Sequence, residues 1–325
     1  MNRLNNVGGD ELANRLLSYL KKCLPTPVEQ FKHIRKHVYY VKFLNRSPFI
    51  LKGFSSRRSF LIQDAFTSSL KRSLFPFTYE LYRDLPNFQF QKKYYGCLEY
   101  IEPSQRSFDY QNRENRQEGL VLLEKFHHSS EKIVESYRRV LPTYDLQDKW
   151  VDRFQFFIKN LEALSRFIPK EVTTELISWA EWSLAGIHRE KDALFQHPLV
   201  ILHGDVAHHN FIKTVKGELF LIDFDLISVG PLVSDYLQYA NRILPFLNWS
   251  LHSLATYKPM HRYVQERLFL YALVFPTDIF REWNRLIKDK TFHDSHKVHS
   301  VFQLTMNQFE KRRNFIRDIQ RTVKC

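Results

Sequence analysis

The sequence predicts an α+β fold in which a small mixed region precedes a larger, mainly helical one. Short apolar segments separated by turn residues fill the first part of the chain, as in residues 37–55. Helical periodicity dominates later, as in GLVLLEKFHHSS at residues 119–130. The chain has 325 residues and is 44% hydrophobic, which is enough to build two domains, each with its own core.

The elements of the first region follow from local patterns. Residues 10–23 place four leucines on one helical face, which predicts an amphipathic helix. Residues 37–55 predict two short strands around the turn Asn45-Arg46-Ser47-Pro48. SFLIQDAFTSSLKR (59–72) predicts a helix, and NFQFQKKYYGCLEYIEP (87–103) predicts a second strand pair that ends at a proline.

The second region is predicted to begin near a polar stretch at residues 104–118. We therefore expect a small N-terminal lobe over residues 1–102 and a helical C-terminal lobe over residues 103–325. Beyond residue 118, residues 149–168 and 171–190 are long amphipathic helical segments. Two strand-like runs, LVIL and ELFLI, then interrupt the helical pattern before it resumes.

Composition restricts the environment and the partners. The formal net charge is +13, which favours anionic partners, but lysines and arginines are spread along the chain, so we do not expect nucleic acid. Cys23, Cys97 and Cys325 show no paired spacing, which indicates a reducing compartment such as the cytoplasm. The longest apolar run, at residues 268–275, is too short to cross a bilayer, so we expect a soluble protein without a membrane span.

Polar residues with a specific spacing follow the two strand-like runs. His203-Gly204-Asp205 and Asn210 fit the pattern H-x-D-x-x-x-x-N of phosphoryl-transfer catalytic loops. In that pattern the aspartate orients the attacking hydroxyl and the asparagine holds a metal ion. Asp223 follows the second run, where another carboxylate would bind Mg²⁺. Turn-capping acids at strand ends would explain each residue singly, but not their combination.

The stretch LHGDVAHHNF…LIDFDLISVGPLVSDYLQYA resembles the aminoglycoside phosphotransferase and choline kinase-like superfamily. The resemblance implies a bilobal protein-kinase-like fold. Gly204 stands where protein kinases usually have arginine, which favours this branch. Within it, the sequence is most similar to spore-coat kinase-like proteins of the CotS and YutH type. Asp235 lies where such proteins carry a structural aspartate.

The resemblance implies roles for individual residues in catalysis and in metal binding. Asp205 would be the catalytic base, and His203 would hold the conformation of its loop. Asn210 and Asp223 would bind Mg²⁺, with Asp225 as a possible further metal ligand.

The resemblance also implies an ATP site in the small lobe. Lys52 matches the strand lysine that contacts the nucleotide phosphates, although it could also be an ordinary solvent-facing residue. Its expected glutamate partner is missing from the next helix, where Asp64 can pair with a lysine and Gln63 can only form hydrogen bonds. No glycine occurs between Gly9 and Gly53, where a nucleotide-covering loop is expected. Lys32, Arg35 and Lys36 of this span could supply charge in place of backbone donors, or could form a solvated strand edge.

Together these features predict an ATP- and Mg²⁺-dependent phosphotransferase acting on a hydroxyl of a small molecule or a protein. The alternative is a kinase-like structural protein of the spore coat with little or no turnover, and with coat proteins as partners. Residues 310–324 carry six basic side chains, which are either a solvated helix face or a surface for an anionic ligand or a docking protein. The same segment makes a nucleic-acid or polyanion binder a third and weaker hypothesis.

Overall fold

A computed structural model describes residues 7–23 and 27–324 of the chain, with helices and strands as follows. The strands are β1 (Val28–Arg35), β2 (Val38–Phe43), β3 (Phe49–Phe54), β4 (Phe88–Phe90), β5 (Lys93–Glu99), β6 (Leu199–Leu202), β7 (Phe211–Lys213), β8 (Leu219–Leu221) and β9 (Ser228–Pro231). The α-helices are α1 (Val7–Cys23), α2 (Arg57–Arg72), α3 (Arg113–Glu131), α4 (Val134–Tyr137), α5 (Leu146–Lys159), α6 (Leu161–Leu164), α7 (Lys170–Arg189), α8 (Lys191–Leu194), α9 (Val233–Ile243), α10 (Leu251–Ala255), α11 (Arg267–Val274), α12 (Thr277–Lys288), α13 (Ser295–Met306) and α14 (Phe309–Lys324).

These elements form two compact units, which confirms the predicted α+β class. The first, here called the sheet unit, contains the chain up to Phe108 together with Asn210–Asp225. The second, the helical unit, contains Asp109–His209 and the chain from Leu226 onward. The chain therefore passes from the helical unit into the sheet unit between His209 and Asn210, inside the predicted catalytic pattern.

The sheet unit is built on a five-stranded antiparallel sheet with the strand order β1-β2-β3-β5-β4. Alternate residues of β2, namely Tyr39, Val41 and Phe43, are buried, as expected for a strand with one face on the core. Leu16 and Leu20 of α1 belong to the same core. The strand pairs predicted at residues 37–55 and 87–103 are confirmed, and so is the helix predicted at residues 59–72.

Cys97 lies on β5 inside this core. It is a buried free cysteine, and burial raises the pKa of its thiol to about 12. The thiol is therefore protonated at neutral pH and packs as a small apolar side chain. The side chain of Cys23 and the whole of Cys325 lie outside the described residues.

The helical unit depends on close helix contacts. Gly186 of α7 lies against the Tyr271 ring of α11 so closely that a Cβ atom would stand 1.9 Å from a ring carbon. The Ser183 hydroxyl donates to the Tyr271 carbonyl oxygen at 2.7 Å.

The segment predicted at residues 149–168 is divided into two helices, because the Asn160 backbone N–H caps the end of α5. Within residues 7–23 and 27–324, no helix is long and apolar enough to span a bilayer.

The basic C-terminal segment is helix α14, and part of its charge is used inside the protein. Arg312 is buried and donates two hydrogen bonds, of 2.7 and 3.1 Å, to the Asp278 carboxylate of α12. Its guanidinium also lies 4.6 Å from the centre of the Trp249 ring. Arg313 makes a two-bonded contact with Glu175 at 2.6 and 2.7 Å. The segment is therefore not a uniformly solvated basic face.

We expect the Arg312–Asp278 pair to stabilise the fold only while Asp278 is ionised. Burial by itself would raise the pKa of Asp278, but the charge and hydrogen bonds of Arg312 outweigh burial and lower it. A carboxylate with a lowered folded-state pKa contributes stability above its unfolded pKa of about 3.9 and loses it as pH falls through the folded value. Asp278→Asn should therefore reduce the free energy of unfolding by about 2 kcal/mol at pH 7, and the difference should shrink below about pH 4.

Urea unfolding between pH 7 and pH 3 measures this difference. Asp318→Asn is the matched control, because Asp318 is exposed and its contact with Arg321 is a surface pair. The control should change the free energy of unfolding by less than about 0.5 kcal/mol. A loss in Asp278→Asn that stays constant down to pH 3 would contradict the expectation.

Candidate functional site

Lys52 is the centre of a charged cluster in the sheet unit. It lies in the middle of β3, its side chain is 7% exposed, and its ammonium group has two carboxylate partners. Nζ donates to Asp223 Oδ1 at 2.8 Å and to Asp225 Oδ1 at 2.7 Å. A lysine buried on a central strand needs such partners, because an unpaired buried charge is strongly unfavourable. Lys52 is thus not a solvent-facing strand residue.

Helix α2 contributes Gln63 to this cluster. Gln63 is buried, and its Nε2 donates to Asp225 Oδ1 at 2.6 Å while its Oε1 accepts from the Tyr79 hydroxyl at 3.1 Å. The neighbouring Asp64 points elsewhere, and its Oδ1 lies 3.5 Å from a guanidinium nitrogen of Arg83. Consecutive helical residues diverge by about 100°, so only one of the two can face the sheet.

Asp223 is held by two cations and by an uncommon backbone conformation. Besides Lys52 on Oδ1, the Arg35 guanidinium donates to Oδ2 at 2.6 Å. Burial by itself would raise the pKa of Asp223, but the charges and hydrogen bonds of Lys52 and Arg35 lower it to about 2. The residue has φ of 71°, in the left-handed region that side-chain-bearing residues rarely adopt. Such conformations are concentrated at functional sites.

Arg35 comes from the span in which a glycine loop was expected. Strands β1 and β2 are joined there by two residues only, Lys36 and His37, and His37 turns the chain with φ of 60°. The His37 carbonyl oxygen accepts from the Gly53 N–H at 2.8 Å, which ties the turn to β3. A basic side chain thus reaches the Asp223 carboxylate from a tight hairpin whose two-residue turn contains no glycine.

Asn210 and Asp223 lie at the same end of the β7–β8 hairpin. Phe211 pairs with Leu221, and beyond that pair the Ile222 N–H donates to the Asn210 carbonyl oxygen at 2.9 Å. Asp223 is the next residue. The sheet unit therefore contains five of the predicted residues, namely Lys52, Asn210, Asp223, Asp225 and Asp64, of which Asp64 faces Arg83.

In the helical unit, Asp235 organises the loop that carries His203 and Asp205. Its carboxylate is buried and accepts from the backbone N–H groups of His203 at 2.7 Å and of Gly204 at 3.1 Å. It also contacts His127 Nε2 at 2.9 Å. Burial would raise the pKa of Asp235, but its contacts with His127 and His203 outweigh burial and lower it. The side chain of His203 acts within the loop, where its Nδ1 accepts from the Asp205 N–H at 3.2 Å.

Two residues of α9 contact the same loop and were not found from the sequence. The Gln238 side chain donates to the Gly204 carbonyl oxygen at 3.0 Å and accepts from the Val206 N–H at 2.7 Å. Arg242 donates to Asp205 Oδ1 at 2.6 Å. Because Gln238 and Arg242 lie three and seven residues after Asp235, all three share one helix face. That spacing was the signal in the sequence that could have found them.

Gly204 must be glycine for two reasons. Its φ is +77°, and a Cβ atom would stand 2.4 Å from the Leu226 carbonyl oxygen. Arginine at this position, as in protein kinases, would not fit against that backbone. The glycine of the H-G-D sequence is therefore required by the packing of this loop on the Leu226 backbone.

Comparison with known proteins identifies the fold of the chain. Residues 109–255 match the family model described as the phosphotransferase enzyme family, APH. The solved structure of an aminoglycoside phosphotransferase from Alicyclobacillus acidocaldarius is similar, with a TM-score of 0.71 and 17% identity over 91% of this chain and 93% of that one. The chain has the protein-kinase-like fold of the aminoglycoside phosphotransferases. The family match also supports membership of the aminoglycoside phosphotransferase and choline kinase-like superfamily.

Other solved structures with this fold contain nucleotides. A GDP complex of an aminoglycoside 2'-phosphotransferase has a TM-score of 0.64 at 9% identity, over 92% of this chain and 97% of that one. An AMP-bound spectinomycin phosphotransferase has a TM-score of 0.55 at 14% identity, over 92% and 98%. No curated protein matches the chain significantly.

Gly204→Ala should destabilise the protein much more than the same change at Gly217. Both glycines have positive φ, but a Cβ at Gly217 would meet no atom within 4 Å, whereas at Gly204 it would collide with backbone. The conformational cost alone is about 1–2 kcal/mol. We expect a loss of about 1 kcal/mol for Gly217→Ala and of at least about 3 kcal/mol for Gly204→Ala, measured by denaturant unfolding. Equal losses would show that the collision with the Leu226 carbonyl oxygen adds nothing to the cost of positive φ.

Proposed function

We propose that the protein is a Mg²⁺- and ATP-dependent phosphotransferase that acts on a hydroxyl group. The observation that carries this proposal is the contact of buried Lys52 with both Asp223 and Asp225, at 2.8 and 2.7 Å. In phosphoryl transfer, a strand lysine contacts the nucleotide phosphates and a nearby aspartate holds the metal ion. The contact joins residues 171 and 173 positions apart in the sequence, which supports a shared role for Lys52, Asp223 and Asp225. The nucleotides in the related solved structures support the same cofactor class.

The residues available fit a magnesium ion. Mg²⁺ prefers oxygen ligands, and Asp223, Asp225 and Asn210 offer carboxylate and amide oxygens. Both carboxylate oxygens of Asp223 already accept from cationic groups, Oδ1 from Lys52 and Oδ2 from Arg35. When bound with the nucleotide, the metal ion would neutralise phosphate charge.

The residues of the chain would divide the reaction as follows. Asp205 orients the acceptor hydroxyl and accepts its proton. The hydroxyl oxygen forms a bond to the γ-phosphorus of ATP, and the bond from that phosphorus to the β–γ bridging oxygen breaks. The electron pair of that bond leaves with ADP. Because the transition state is loose, most of the rate enhancement would come from positioning and charge neutralisation.

Arg35 would supply part of that neutralisation. A glycine loop normally offers backbone N–H groups to the phosphates. The β1–β2 hairpin has only a two-residue turn, but it carries a guanidinium group that already lies at Asp223. Guanidinium forms two-bonded contacts with phosphate, so the side chain is suited to exchange a carboxylate for a phosphate.

The second candidate function is a kinase-like structural protein with little or no turnover. The short, glycine-free hairpin favours it, because close backbone contacts with phosphates are then fewer. A role in the spore coat, with coat proteins as partners, belongs to this alternative and rests on sequence resemblance.

A thermal shift with Mg²⁺-ATP separates the two candidates. A ligand at 100 times its Kd adds about 2.7 kcal/mol of stability, so we expect wild type to melt several degrees higher with Mg²⁺-ATP. Asp223→Asn should lose this shift, because it removes the charge of the metal-holding side chain. No shift in wild type would contradict the phosphotransferase and favour the structural protein.

Asp205→Asn is the matched control for that experiment. It should keep the nucleotide-dependent shift, because its role is toward the acceptor, while lowering turnover by about 10²–10⁴-fold. Unchanged turnover in this variant would exclude Asp205 as the base.

Arg35→Met should weaken ATP binding by about tenfold, the effect of losing one charge-assisted contact with phosphate. Lys32→Met is the control, because Lys32 lies on the same strand but packs over the Tyr40 ring, 5.9 Å from its centre. Isothermal titration of both variants with Mg²⁺-ATP measures the difference. Tighter ATP binding in Arg35→Met would show that Arg35 competes with the nucleotide instead of binding it.

A further inference from the structure

The helical unit contains a pocket beside Asp205 that the proposed reaction has not used. Its volume is about 660 Å³, within the usual range for small-molecule sites. Asp205 and Arg242 form part of its wall, and the apolar part includes Trp150 and Phe246. A hydroxyl that reached Asp205 from within the helical unit would come from a molecule in this pocket.

Two neighbouring helices line the pocket with cations. Lys149 and Arg153 lie four residues apart on α5, and Arg281 and Arg285 lie four residues apart on α12. Residues at this spacing share a helix face, so each helix directs a pair toward the same space. The helices are tied together where Asn284 Nδ2 donates to the Arg153 carbonyl oxygen at 2.8 Å. An adjoining cavity of about 680 Å³ shares all four cations.

Three acids line the pocket, and each already has a partner. Asp109 accepts from two backbone N–H groups, at 2.8 and 2.9 Å, and the other two acids are paired with cations. Asp278 is bound by Arg312, and Asp205 by Arg242. Arg281 and Arg285 share the single carboxylate of Glu282, at 2.9 Å each.

Lys149 and Arg153 have different neighbours. Within the described part of the chain, no carboxylate lies at ion-pair distance from either, although Arg153 donates to the Thr277 carbonyl oxygen at 3.2 Å. Lys149 Nζ instead lies 4.7 Å from the centre of the Tyr144 ring. Lys149 is exposed at the mouth of the pocket, and partial desolvation together with the charges of Arg153 and Arg281 lowers its pKa. Like charges held together in this way favour an anion between them.

We propose that this pocket binds the acceptor of the phosphotransferase and that the acceptor is an anion, a hydroxyl-bearing small molecule with a phosphate or carboxylate group. The substrate class rests on the proposed function. Lys149 and Arg153 bind the anionic group while the hydroxyl of the same molecule lies at Asp205. Polycationic acceptors such as aminoglycosides are excluded by repulsion from the same side chains.

Titration calorimetry on the full chain without nucleotide tests the pocket directly. The probes are glucose, glucose 6-phosphate, gluconate and inorganic phosphate, and at least one anionic sugar should bind at least tenfold more tightly than glucose. Tighter binding of glucose 6-phosphate assigns a phosphorylated acceptor, and tighter binding of gluconate assigns a carboxylated one. Binding should weaken as salt concentration rises. Glucose binding equal to both anionic sugars would overturn the proposal.

Lys149→Met and Arg153→Met should each weaken binding of the anionic sugar by about tenfold or more. Arg321→Met is the control, because this side chain is 80% exposed on α14 and outside the pocket. Two pocket variants are needed, since Arg153 also contributes a hydrogen bond to Thr277 and its loss could disturb the fold. An equal loss in Arg321→Met would mean general charge attraction and would overturn the proposal.

The outcome is separable from that of the nucleotide experiment. A thermal shift with Mg²⁺-ATP but no binding of the anionic sugars would overturn the proposal of an anionic acceptor and would leave the proposed phosphotransferase activity standing. Anion binding without any Mg²⁺-ATP shift would overturn the phosphotransferase, and the acceptor role with it, while leaving an anion site.

Discussion

Charges removed from water must be met by opposite charges or by hydrogen bonds, and this requirement governs the polar residues of both units. In the sheet unit, buried Lys52 is met by Asp223 and Asp225, and Gln63 satisfies the second of these. In the helical unit, buried Asp235 is met by His127 and by two backbone N–H groups. The polar residues of each region are therefore fixed by mutual compensation, which leaves them with defined positions before any ligand binds.

The fold class and most elements were predictable because their signals are local. Alternation in β2, turn residues before β3 and leucine periodicity in α1 each lie within one short segment. The H-x-D-x-x-x-x-N spacing is local as well, since the whole pattern lies within residues 203–210. Glycine at position 204 was also visible in the sequence, but its reason, contact with the Leu226 carbonyl oxygen, was not.

The contacts that were not predicted are those between residues far apart in the chain. Arg35 meets Asp223 across 188 residues, and nothing in the β1 sequence distinguishes it from a basic strand edge. The choice between Gln63 and Asp64 depends on which side of α2 faces the sheet, and the sequence favoured the acid for its charge. Arg312 carried no sign of burial, because its partner Asp278 belongs to a different helix.

The Arg35 contact has a consequence for the protein before nucleotide arrives. With Lys52 and Arg35 both on Asp223, the charge of this carboxylate is already compensated. In the proposed phosphotransferase, loading the site would therefore exchange ionic partners at Asp223. Departure of ADP would restore the contacts of Lys52 and Arg35 with Asp223, so no charge would be left unpaired. We therefore expect the nucleotide-free protein to be fully folded, with the hairpin at residues 35–38 in the same place in both states.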